Sequence, residues 1–127
     1  MIDLSPRAWR WLLAVVMFTG LAFALRPLDD MAPENWFPQS DKVFHLLFFG
    51  LLWWMGTRAR LGSSIWLAVG LMAFAVGIEV AQALFTASRS ASAADVLADG
   101  VGVLLGAWAT PRLDAIASRR QPQKHGR

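Results

Sequence analysis

Nine residues of this chain have the types and spacing to do chemistry: Asp41, Lys42, His45, Glu79, Gln82, Arg89, Ser92, Asp95 and Asp99. A histidine among carboxylates can act as general acid or base, and lysine or arginine can hold phosphate or stabilise developing negative charge. Spacing groups the residues further. Asp41 and His45 lie four apart, as do Asp95 and Asp99, and Glu79 and Gln82 lie three apart, so on helices each pair shares a face. His45, Glu79 and Asp95 are the candidates for catalysis, and all nine are candidates for ligand binding. Each residue borders or enters an apolar segment, where an ionisable group is costly unless paired or hydrated and is a functional-site candidate for that reason.

Four apolar segments must position these residues. They run about 8–25, 43–57, 64–85 and 93–110, the last closed by Pro111, which cannot continue a helix. The 127 residues are 56% hydrophobic with a mean hydropathy of +0.43, too apolar for the surface of a soluble domain this small. At roughly 20 residues per crossing the length fits four spans, and lipid-exposed backbone demands helices. The second segment is short for a hydrocarbon core of about 30 Å, so its charged flank at Asp41 belongs to the same helix. The expected fold is all-α. It is an integral membrane four-helix bundle in one domain over residues 1–118, followed by a flexible basic cytoplasmic tail at 119–127.

Charge orients the bundle. One set of flanks carries nine Lys and Arg (Arg7, Arg10, Arg58, Arg60, Arg112, Arg119, Arg120, Lys124, Arg127), against Arg26, Lys42 and Arg89 on the other. Basic flanks stay cytoplasmic, so both termini are expected inside and the polar cluster outside. Trp9, Trp11, Trp53, Trp54, Trp66 and Trp108 fall near the inner boundaries, as an interfacial belt would. Seven of the nine acidic residues belong to the outer side, although Asp29, Asp30, Glu34 and Asp41 lie in or beside a loop and read as solvated charge. Arg7 and Arg10, an apolar run and Ala22-Phe23-Ala24 also resemble a cleavable signal peptide, but the downstream segments are themselves spans.

Depth brings the polar groups together. With a rise of about 1.5 Å per residue, Glu79 and Asp99 each sit about 9 Å inside their helices from the outer ends. Two small-residue ridges, Ala73-Gly77-Ala81 and Ala94-Ala98-Gly102-Gly106, would let helices close around them. Ordinary structural roles compete for several of the nine. Ser92 through Asp95 reads as a capping box, Ser40 as an N-cap, Asp41 as a first-turn acid and Lys42 as a snorkelling cation. His45 could be a packing histidine, and the whole set a structural ion-pair network. Glu79 and Asp99 lie too deep for capping and need partners, for which Lys42, His45 and Arg89 are available.

Several chemistries are excluded or disfavoured. Without cysteine there is no disulfide, thiolate metal site or thiol nucleophile. No strand precedes Gly100-Val101-Gly102, so those glycines make no nucleotide loop, and no serine sits in a nucleophile elbow. A zinc site would need His45 with carboxylates alone, so no metal and no cofactor is expected. Basic cytoplasmic ends account for the net charge of +3, and nucleic acid is not an expected partner.

Asp41-Lys42-Val43-Phe44-His45, Glu79-Val80-Ala81-Gln82, Arg89 through Ser92, and Asp95 to Gly106 together resemble the VanZ-like family of bacterial membrane proteins. The blocks cover roughly the central half of the chain, in the family's order. Family members usually carry Asn at the position of Asp99. The resemblance implies a multi-pass protein of the bacterial cytoplasmic membrane, associated with the envelope, and for the namesake a contribution to resistance against glycopeptides such as teicoplanin. Membrane lipids are expected partners. The leading expectation is a non-enzymatic protein whose outer polar cavity takes an envelope-lipid head group, a cell-wall precursor or a glycopeptide, with Trp36 and Phe37 over its mouth. An intramembrane hydrolase or transferase acting on such a lipid is the alternative, and a small proton-coupled transporter using Glu79 a further one.

Overall fold

The computed structural model describes residues 4–26, 40–86 and 91–119, and these form four helices with no strand among them. They are α1 (Pro6–Ala24), α2 (Ser40–Ala59), α3 (Ser64–Phe85) and α4 (Ala93–Arg119). The expected contacts of Arg89, Trp36 and Phe37, the loop acids Asp29, Asp30 and Glu34, and the tail beyond Arg119 lie outside the described residues. Local chemistry sets the observed starts. Ser5 caps α1 by accepting from the Ala8 amide at 3.2 Å, with Pro6 in the first turn, where its missing N–H costs nothing. Ser63 caps α3 through the Trp66 amide at 3.4 Å. Ser40 is itself the first helical residue of α2, so its expected N-cap role is not the one it takes.

Successive helices alternate in direction. Trp9 of α1 meets Trp54 of α2 edge-on at 5.2 Å, and Arg10 donates to the carbonyls of Ala59 and Arg60 at 3.0 and 3.3 Å. The start of α1 therefore lies against the end of α2. The start of α4 lies against the later part of α3, where the Ser92 amide meets Glu79. Helices α2 and α4 run parallel and make the most extensive contact in the bundle. Its basis is small residues: a Cβ on Gly106 would lie 2.8 Å from Trp53 Cβ and 2.9 Å from the Gly50 carbonyl oxygen, and one on Gly102 would collide with the Leu46 carbonyl. The expected ridge on α4 is thus a true seam from Gly102 onward. That on α3 is not, because Ala73 and Gly77 face outward.

Helices α1, α3 and α4 are long and apolar enough to cross a membrane. Helix α2 falls short on composition, since Asp41, Lys42 and His45 occupy its start, yet it packs on all three others and buries Phe49, Leu52, Trp53 and Met55. Its charged flank belongs to the same helix, as its length required. Outward-facing Phe18, Leu47, Ile65, Leu84, Leu97 and Leu104 give the bundle an apolar exterior suited to lipid.

Two expectations change. The fourth helix does not stop at Pro111 but runs to Arg119. Pro111 withholds an amide donor from the Ala107 carbonyl alone, and on either side the Thr110 hydroxyl donates to the Gly106 carbonyl at 2.7 Å and Arg112 to the Trp108 carbonyl at 2.5 Å. The six tryptophans do gather at one end, but only Trp11, Trp66 and Trp108 face outward as a belt. Trp9 and Trp53 are buried in the core.

Candidate functional site

The parallel seam sets α2 and α4 in register at the end opposite the tryptophans. His45 Nδ1 lies 2.9 Å from Asp99 Oδ1, and one helical turn nearer the helix starts Lys42 Nζ lies 3.6 Å from Asp95 Oδ1. Two base–acid pairs thus repeat along one interface, Lys42 and His45 three apart on α2 and Asp95 and Asp99 four apart on α4. Asp99 is fully buried, so its carboxylate depends on His45 in place of water. This gives Asp99 the partner that an acid at an Asn position requires.

Glu79 reaches the cluster from α3. It is only 3% exposed, and its Oε2 accepts the Ser92 amide hydrogen at 2.6 Å. Ser92 in turn accepts the Asp95 amide hydrogen on its hydroxyl at 3.2 Å, which is half of the expected capping box. The reciprocal half comes from Glu79 across the helix interface, leaving the Asp95 carboxylate free to face α2. A carboxylate at an N-terminus also meets the positive end of the α4 dipole. Three buried oxygens, Glu79 Oε1, Asp95 Oδ1 and Asp99 Oδ2, have no hydrogen-bond donor among the described residues.

Two of the nine residues go elsewhere. Asp41, whose side chain is 56% exposed, meets neighbouring Lys42 at 3.4 Å and no residue of α4 among those described, so the facing pair on α2 is Lys42 with His45, not Asp41 with His45. Gln82 is buried but donates to the Ala24 carbonyl at 2.9 Å, fastening the end of α1 to α3. The sequence offered no signal for that bond, nor for the Arg10 clasp on α2. Arg58, read only as a topology signal, also pairs with Asp114 at 2.6 Å and lies over the Trp54 ring at 4.2 Å.

A groove of about 480 Å³ adjoins the cluster along the α2–α4 seam. Leu46, Gly50, Trp54, Gly102, Gly106 and Leu113 are among its walls, and it begins one residue beyond His45. Its walls are apolar, because glycines and leucines, not the ionisable groups, form the seam below the cluster. By helical rise it extends roughly 12–16 Å along the bundle.

A histidine paired with a buried acid, an exposed ammonium and several unsatisfied carboxylate oxygens can exchange protons, accept hydrogen bonds from a ligand or hold a cation. An all-α bundle with such a cluster at one end of an apolar exterior defines a polytopic membrane protein with a buried polar site. More narrowly, residues 5–114 match the family model described as VanZ/LLP1, and the chain belongs to that family. No curated protein and no solved structure matches it.

Proposed function

We propose that the protein is a VanZ-like component of the bacterial cytoplasmic membrane that seats the polar head group of an envelope lipid or of a glycopeptide-type ligand. Both termini are cytoplasmic in this reading, which places the cluster in the outer leaflet. One observation carries it: donors and acceptors from three helices converge at one end of an apolar bundle, directly above a groove suited to an acyl chain. Lys42, the most exposed cation of the cluster, would meet phosphate or carboxylate, while the oxygens lacking donors would accept from sugar hydroxyls or amide N–H groups. Such capture would give one route to glycopeptide resistance. To test it, the purified protein in lipid nanodiscs is titrated with a lipid-linked cell-wall precursor and with teicoplanin. Lys42→Met and His45→Gln are expected to weaken binding of at least one ligand. Unchanged binding of both by the folded double variant would refute the reading.

A second reading has its own support in the His45–Asp99 contact. A carboxylate holding Nδ1 leaves Nε2 to move a proton, so hydrolysis or transfer on a lipid-linked substrate is chemically open. Incubation with such a substrate, analysed by mass spectrometry, separates the two. Product formation that is lost in His45→Gln favours an enzyme, and intact substrate favours capture.

A further inference from the structure

We propose that His45, Glu79 and Asp95 form a binding site for a divalent first-row transition metal, with Asp99 orienting the histidine. One ligand atom from each of the three lies within 4.8 Å of the other two. Tetrahedral donors at about 2.0–2.2 Å from a zinc ion sit about 3.4 Å apart, so modest side-chain rotations close the set. Each ligand comes from a different helix, α2, α3 or α4, so a cation would join the three at their polar end.

Clustered acids alone do not make a site. Glu79 adds an independent observation, since it is 3% exposed, its Oε2 is committed to the Ser92 amide, and its Oε1 has no donor. An ionised oxygen left unpaired away from water is costly, and a metal ion removes that cost. The histidine is arranged for the same task. With its Nδ1 hydrogen given to Asp99, the lone pair available to a ligand is on Nε2. Metal-binding histidines almost always hand their other N–H to a carboxylate, carbonyl or water in this way.

Charge also favours a cation. Among the described residues at this end, Asp41, Glu79, Asp95 and Asp99 face only Lys42 and His45. Lys42 is the competitor for Asp95, but its ammonium already lies 3.4 Å from Asp41 and can stay there when Asp95 turns to a metal. One imidazole with two carboxylates suits zinc or manganese better than magnesium or calcium, which prefer all-oxygen shells. Three protein ligands leave a coordination position for a water or a ligand oxygen.

Metal binding is measured without any lipid ligand, so this inference and the head-group reading fail separately. Full-length protein, purified in detergent without a polyhistidine tag, is titrated with Zn²⁺, Mn²⁺ and Mg²⁺ by calorimetry, with metal content checked by elemental analysis. The expected result is one Zn²⁺ per chain, a raised melting temperature and much weaker Mg²⁺ binding. Glu79→Gln and Asp95→Asn should each weaken Zn²⁺ by about tenfold or more, and Asp99→Leu, which removes the acceptor for His45 Nδ1, by about 10–100-fold as loss of an outer-shell partner does. Lys42→Met should strengthen it, and His125→Ala should change nothing. Because Glu79→Gln keeps an acceptor for Ser92 and Asp95→Asn keeps an oxygen to face Lys42, both variants are expected to retain wild-type helicity. Absence of stoichiometric Zn²⁺ and Mn²⁺ binding would overturn the proposal. So would wild-type affinity in the folded Asp95→Asn protein, or loss of binding in His125→Ala.

Discussion

Gly106→Ala and Gly77→Ala make the same chemical change in two surroundings, and their difference isolates the α2–α4 seam. At Gly106 the new methyl would lie 2.8 Å from Trp53 Cβ and 2.9 Å from the Gly50 carbonyl oxygen. Ordinary contact for such atoms begins at about 3.5 Å, and neither neighbour can rotate aside, so the helices must part by more than half an ångström. At Gly77 nothing lies within 4 Å of the added carbon. Both variants gain the same helix propensity, up to about 1 kcal/mol, and this cancels in the comparison. What remains is overpacking, about 1–3 kcal/mol against Gly106→Ala. Unfolding in mixed micelles by added SDS, followed through tryptophan fluorescence, measures the difference, with Trp53 reporting from the seam itself. Equal stability of the two variants would refute the close parallel packing, and with it the register that brings His45 to Asp99.

Two further substitutions probe how the site is tied to the bundle. Glu79→Ala should cost about 1–3 kcal/mol by orphaning the Ser92 amide, and Glu79→Gln less, because a neutral acceptor remains. Amide exchange in the first turn of α4 should accelerate in the alanine variant only, and identical rates in both would count against the interhelical cap. Gln82→Leu should cost about 0.5–1.5 kcal/mol by removing the donor to the Ala24 carbonyl. Greater labelling of a cysteine introduced at Leu21 would report the loosened α1 end, and unchanged labelling would contradict that role.

Most of the helical architecture was legible because lipid imposes a simple pattern, and α3 runs 64–85 as its apolar stretch required. Pro111 misled because helix termination is a local rule, while a single proline costs the helix one amide donor and α4 carries on through it to Arg119. The convergence of His45, Glu79, Asp95 and Asp99 followed from depth and helical spacing. The pairing did not. Whether Asp41 or Lys42 joins His45 in facing α4 depends on the rotation of α2, which its near-uniform apolarity leaves open and the glycine seam fixes. Gln82 illustrates the same limit, since its bond to Ala24 joins residues 58 apart that no periodicity relates.

The parallel pairing of α2 and α4 also dictates when the site can exist during synthesis. His45 and its partner Asp99 are 54 residues apart, with all of α3 between them. At translation rates of about 5–20 residues per second, α2 waits roughly 3–11 s in the membrane before its partner is made. During that interval the glycine face of α2 has no α4 to cover it, Lys42 has only Asp41, and His45 lacks Asp99. The polar end is therefore assembled last, after α2 and α3 are already made.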